Sequence, residues 1–125
     1  MSRQSLYKIL FWTGYTAMFI AAFLPAGGNL SGRKLGSLIR LDYLLHFLVY
    51  LAICLYYLFG QKNSLALFRE KALLKFILAV FSLATITEVV QIWVPGRSFN
   101  PLDWVANVVG VIAGVVMISL LAEST

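Results

Sequence analysis

Charge is what this sequence has least of. Asp, Glu, Lys and Arg make up 12% of its 125 residues, where a soluble domain of this length carries about 25%. With 61% hydrophobic residues and a mean hydropathy of +0.87, the chain falls in the membrane class before any motif is read. Cysteine is almost absent: Cys54 stands alone in an apolar run. That excludes an intramolecular disulfide and a multi-cysteine metal site, and leaves Cys54 as a small buried hydrophobe. There are no internal repeats and no low-complexity tract. No Ser–His–Asp or Cys–His arrangement is present either, because Cys54 lies two helical turns beyond the single histidine, His46.

The net charge of +5 does not point to nucleic acid. The basic residues lie in short clusters between apolar runs: Arg3 and Lys8; Arg33, Lys34 and Arg40; Lys62, Arg69, Lys71 and Lys75. Such clusters anchor span ends and meet anionic lipid headgroups. No basic stripe runs through the chain to hold a phosphate backbone.

A helix needs about 20 mainly apolar residues to cross the hydrocarbon. Four segments qualify: 6–24, 42–60, 73–95 and 104–122. Lipid offers no partner to a free backbone group, so helices are expected throughout. The fold class is therefore all-α: one domain, a polytopic membrane protein with four transmembrane helices in a compact bundle. Trp12, Tyr43, Tyr57, Trp93 and Trp104 sit towards span ends, where interfacial aromatic belts place them. The first span is long and bulky, and "FLPAGG" is a poor cleavage site, so it reads as a retained helix rather than a signal peptide. Glycine breaks the 25–41 connection. "LALFREKA" (65–72) reads as a short surface helix, and 96–103 as a tight turn.

An even number of spans puts both termini on one side. With the termini inside, six basic residues face the cytoplasm (Arg3, Lys8, Lys62, Arg69, Lys71, Lys75) and four face outside (Arg33, Lys34, Arg40, Arg97). The positive-inside tendency thus favours N-in and C-in in the cytoplasmic membrane.

In an alternating bundle, the start of the second span, the end of the third and the start of the fourth share one membrane face. The polar residues gather at those three ends: Arg40, Asp42 and His46; Glu88, Gln91 and Arg97; Asp103 and Asn107. Under N-in topology this end faces outside. Asp42 and His46 are i,i+4, and Tyr50 continues their stripe. Glu88 and Gln91 are i,i+3. Asp103, Asn107, Gly110 and Gly114 fall within one sector, so a polar face runs into a GxxxG element suited to close helix packing.

Glu88 lies seven residues before Pro95, about 10 Å below the span end. An unpaired charge at that depth costs at least a few kcal/mol, so Glu88 must be protonated, paired or open to water. Plainer roles exist for its neighbours. Asp42 and Asp103 suit helix N-caps, Gln91 and Asn107 suit interhelical hydrogen bonding, and Arg97 can reach to headgroups. Glu88 and His46 are the candidate acid–base pair. Arg97, Asp103, Asp42, Gln91, Asn107 and Arg40 are the candidate ligand-binding residues, the two arginines being suited to phosphate or carboxylate. His46, Asp42, Glu88 and Asp103 are all capable of holding a metal. No diagnostic spacing such as HExxH joins them, and no metal or cofactor is assigned.

"LDYLLHFLVY" (Leu41–Tyr50) and "EVVQIWVPGRSFNPLDWVANVVGVIAG" (Glu88–Gly114) resemble signatures of the VanZ-like family. They correspond to D-K-xx-H-F-xx-Y and to E-xx-Q-xxx-P-x-R…D-xx-A-N-xx-G. Tyr43 stands where lysine is common, so any role of that lysine does not carry over. The resemblance covers most of the chain and implies an integral protein of the bacterial envelope. The family's name-giving member is associated with low-level teicoplanin resistance. Three functions are expected to compete: a pocket binding a membrane lipid or other amphipathic envelope ligand, an enzyme using Glu88 and His46, and a structural partner subunit. Nothing in the residues fixes the oligomeric state.

Overall fold

The computed structural model describes residues 2–23, 41–94 and 101–122, apart from the side chains of residues 41, 42 and 122. Arg40, Arg97 and residues 96–100 of the turn expected at 96–103 lie outside the described residues, as does the side chain of Asp42. Four α-helices and one short 3-10 helix make up the described chain: α1 (Arg3–Ala21), α2 (Leu41–Lys62), α3 (Ala72–Val89), the 3-10 turn (Val90–Trp93) and α4 (Pro101–Ala122). No strand occurs among the described residues.

Three stretches are long and apolar enough to cross a membrane: Tyr43–Lys62, Ala72–Trp93 and Pro101–Leu121. Only 28%, 33% and 28% of these stretches is buried inside the protein. Leu78, Ile92, Ile112 and Leu120 are among the large apolar side chains left outside. So much outward apolar surface is tolerable only against lipid. The chain is a membrane protein. α1 covers Arg3–Ala21, starting three residues before the expected span of 6–24 and giving way to a turn at residues 22–23, and Arg3, Gln4, Ser5 and Lys8 in its first turns keep it below the apolarity of the other three.

The helices alternate in direction, as pairs of contacts show. Tyr7 on α1 meets Tyr56 near the end of α2, and Tyr15 donates its hydroxyl to the Ala79 carbonyl of α3 at 3.0 Å. α2 and α4 run parallel: His46 faces Asn107, and Lys62 caps the Leu121 carbonyl at 3.0 Å. They also form the most extensive helix pair. Small residues explain the closeness. A Cβ built on Gly110 would stand 2.5 Å from the Phe47 carbonyl oxygen, and one on Gly114 would overlap Cys54. The expected close packing of the GxxxG face is thus present. Cys54, fully buried, sits in the notch and points its thiol at the Val111 carbonyl.

Three expectations need correction. Residues 65–71 are irregular, with bends at 67 and 69–71, rather than a surface helix. Ser64 and Lys71 both take positive φ, Leu67 is buried, and the Ala66 backbone is held at both its N–H and its carbonyl by the Gln4 amide. Tyr57 is no belt residue. It is 2% exposed and stacks on Phe76 with ring centroids 4.3 Å apart. Finally, Pro101–Asp103 already belongs to α4. Proline suits the first helical position, where no N–H is needed.

Candidate functional site

The site forms where four helix ends meet: the close of α1, the start of α2, the close of α3 with its 3-10 turn, and the start of α4. Each polar group comes from local geometry. Pro95 restricts Val94 to extended backbone, and the last turn before it tightens to 3-10 over Val90–Trp93. That places Gln91 on the cavity wall while Glu88 stays in the α-helix above it. Asp103, in the first turn of α4, is favoured there by the helix dipole.

Glu88 and Asn107 are buried at 1% and 0% exposure, and Asp103 at 9%. Asn107 is the hub. Its Nδ2 donates to the Ala84 carbonyl at 3.2 Å and to Glu88 Oε1 at 3.4 Å, while its Oδ1 lies 2.7 Å from His46 Nδ1. The two acceptors fix the amide orientation, so Oδ1 must accept and His46 Nδ1 must donate. His46 Nδ1 also lies 3.4 Å from Glu88 Oε1, and its Nε2 lies 3.9 Å from Asp103 Oδ2. The imidazole is thus set between two buried carboxylates while part of it reaches open space.

Beside this cluster lies a cavity of about 290 Å³, whose wall includes His46, Tyr50, Thr87, Glu88, Gln91 and Asn107. Met18, Ala21 and Ala22 of α1 complete it. A second cavity of about 370 Å³ continues between α1, α2 and α3, and shares Met18 and Val49 with the first. Leu10, Phe11, Ala52, Ile53 and Val80 give it an almost wholly apolar wall. The cavity beside the polar cluster therefore adjoins an apolar groove, with Met18 and Val49 in both walls.

Of the residues expected at the site, the structure brings together His46, Glu88, Gln91, Asp103 and Asn107. Tyr50 joins them, as its place on the Asp42–His46 stripe implied. Thr87 and the α1 residues carry no signature of their own, since by type they are indistinguishable from lipid-facing ones. Thr85 was also missed; it accepts from Trp104 Nε1 at 3.0 Å and ties α3 to α4 just beside the cluster.

An all-helical membrane bundle with a buried carboxylate–histidine–amide cluster at one end defines the class of this protein. A family model described as VanZ/LLP1 matches residues 4–122. The chain belongs to that family, as its motifs implied. No curated protein and no solved structure matches it.

Proposed function

We propose that the protein binds the head of an amphipathic envelope ligand at this cluster and lays the ligand's tail in the adjoining groove. Membrane lipid, lipid-linked wall precursor and lipoglycopeptide all have this form. The observation that supports the reading is the adjacency of two cavities, one walled in part by the polar cluster and one apolar, with Met18 and Val49 in both walls. A soluble substrate has no use for the second cavity. The N-termini of α2 and α4 both open at the polar end, and helix N-termini favour anions. Arg40 and Arg97 flank those ends in sequence and are proposed as the clamp on a phosphate or carboxylate. Asp42 is proposed to extend the ring from the first turn of α2.

In this reading α1 is the fourth span, both termini lie in the cytoplasm, and the pocket opens outward. Binding of a lipoglycopeptide or of its wall target there would link the protein to teicoplanin susceptibility. A second reading makes the protein an enzyme with Glu88 and His46 as acid and base. The 3.4 Å approach of His46 Nδ1 to Glu88 Oε1 favours it, since a general base must sit within reach of its proton.

The test uses Glu88→Gln, Arg97→Ala and Asp103→Asn variants at matched expression. Copurifying lipid is measured by mass spectrometry and teicoplanin susceptibility by growth. Binding predicts loss of a specific lipid from at least one variant that still elutes as a folded species. Retained lipid with altered growth would favour catalysis. Wild-type lipid content and growth in all three would leave only a scaffold role.

A further inference from the structure

The orientation of one amide has a consequence for the metal chemistry of the cluster. With Asn107 Nδ2 fixed by the Ala84 carbonyl and Glu88, His46 Nδ1 is the protonated nitrogen. In the neutral ring Nε2 then carries the lone pair, and it faces Asp103 Oδ2 at 3.9 Å. Two electron-pair donors facing each other at this distance form an arrangement into which a cation fits. A proton does not bridge them well, because an N–H···O bond spans about 2.7–3.2 Å. A divalent ion does: metal–nitrogen and metal–oxygen bonds of about 2.0–2.2 Å each bring the two donors to nearly this separation.

Glu88 supplies the third ligand. One ligand atom from each of His46, Glu88 and Asp103 lies within 4.8 Å of the others. A histidine that ligates through one nitrogen and donates from the other to an amide or carbonyl is the usual arrangement around zinc. An independent observation points to the same place. The Tyr50 hydroxyl is buried, makes no hydrogen bond of good geometry among the described residues although the Thr87 side chain is close by, and lines the same cavity. Thr87, on that cavity wall, donates its own hydroxyl to the Leu83 carbonyl at 2.7 Å.

We propose that His46 Nε2, Glu88 and Asp103 bind one divalent borderline metal ion of the Zn2+ type, with an open coordination position towards the cavity and Tyr50. No thiolate takes part, and three nitrogen and oxygen ligands with an open position suit such an ion. The site stands whether or not a lipid fills the groove. If the lipid reading holds, the open position meets the head of the ligand.

The chain has a single histidine, so isotopically labelled histidine gives one ring to observe by nitrogen NMR. The protein, stripped with chelator in detergent, is titrated with Zn2+ alone. The expected result is about one ion per chain, a shift confined mainly to Nε2, and a proton retained on Nδ1. Asp103→Asn and Glu88→Gln are each expected to weaken binding by at least about 10- to 100-fold, the loss seen when only an outer-shell partner of a metal ligand is removed. Unchanged ring resonances on adding Zn2+, a ring doubly protonated at neutral pH, or wild-type affinity in both variants would overturn the proposal. If a variant fails to fold, the wild-type titration alone decides. Lipid counted on the same samples separates failure of the metal site from failure of the lipid reading.

Discussion

Asn107 does more at this site than its neutral side chain suggests. It is fully buried, joins three helices, and sets which nitrogen of His46 carries the proton. Asn107→Ala removes a partner from each of three groups. Individual interhelical hydrogen bonds in membranes are modest, but stranded buried polar groups cost about 1–3 kcal/mol. The variant is therefore expected to lose stability of that order, read as an earlier thermal unfolding midpoint in detergent. Asn107→Asp retains the oxygen facing His46 but loses the donor to Ala84, so it is expected to fall between the two. Trp104→Phe, which deletes the bond to Thr85 but keeps the ring, is expected to cost under about 1.5 kcal/mol. These residues were partly legible in advance. Asn107 shares a helix sector with Asp103 and the glycines, and that spacing can be read from a sequence. Its amide orientation cannot, because the Ala84 carbonyl that fixes it carries no side-chain signature.

At the scale of elements, the α2–α4 contact decides whether the site assembles. Gly110→Ala drives a methyl against the Phe47 carbonyl. Overpacking of this kind costs about 1–3 kcal/mol, and it also moves His46 relative to Asn107. Both stability and ligand content are expected to fall together. Gly14 on α1 supplies the control: no atom lies within 4 Å of a Cβ built there. Gly14→Ala is expected to be neutral, or to stabilise by up to about 1 kcal/mol through helix propensity. Equal midpoints for Gly110→Ala and wild type would contradict the packing account. Helix positions were readable to within a few residues because hydrophobic length sets them. What the sequence hid was contact-dependent. The tightening of the α3 end depends on Pro95, and the unwinding at 65–71 depends on Gln4 reaching Ala66 from a distant segment.

Among the described residues many large apolar side chains face outward around a hydrophobic core, while a polar cluster is buried at one end. Direction alternation brings His46, Glu88, Asp103 and Asn107 together although they span 62 positions of the chain, and counting spans was enough to foresee it. The groove was not foreseeable, since Leu10, Ala52 and Val80 look like any membrane-facing residue. Topology is testable at this scale. In a Cys54→Ala background, Ser64→Cys places one exposed thiol in the α2–α3 link. It is expected to react with a membrane-impermeant maleimide only after cells are permeabilised; labelling of intact cells would reverse the orientation. The central claim is that one ligand occupies both chambers, and native mass spectrometry of protein released from micelles tests it most directly. Wild type is expected to carry a specific lipid adduct. Glu88→Gln, at the polar end, and Gly14→Phe, which fills the groove without touching the cluster, are both expected to lose it. Leu78→Phe, on the outer face, is expected to keep it. The same adducts on all four proteins, or none on wild type, would contradict the account.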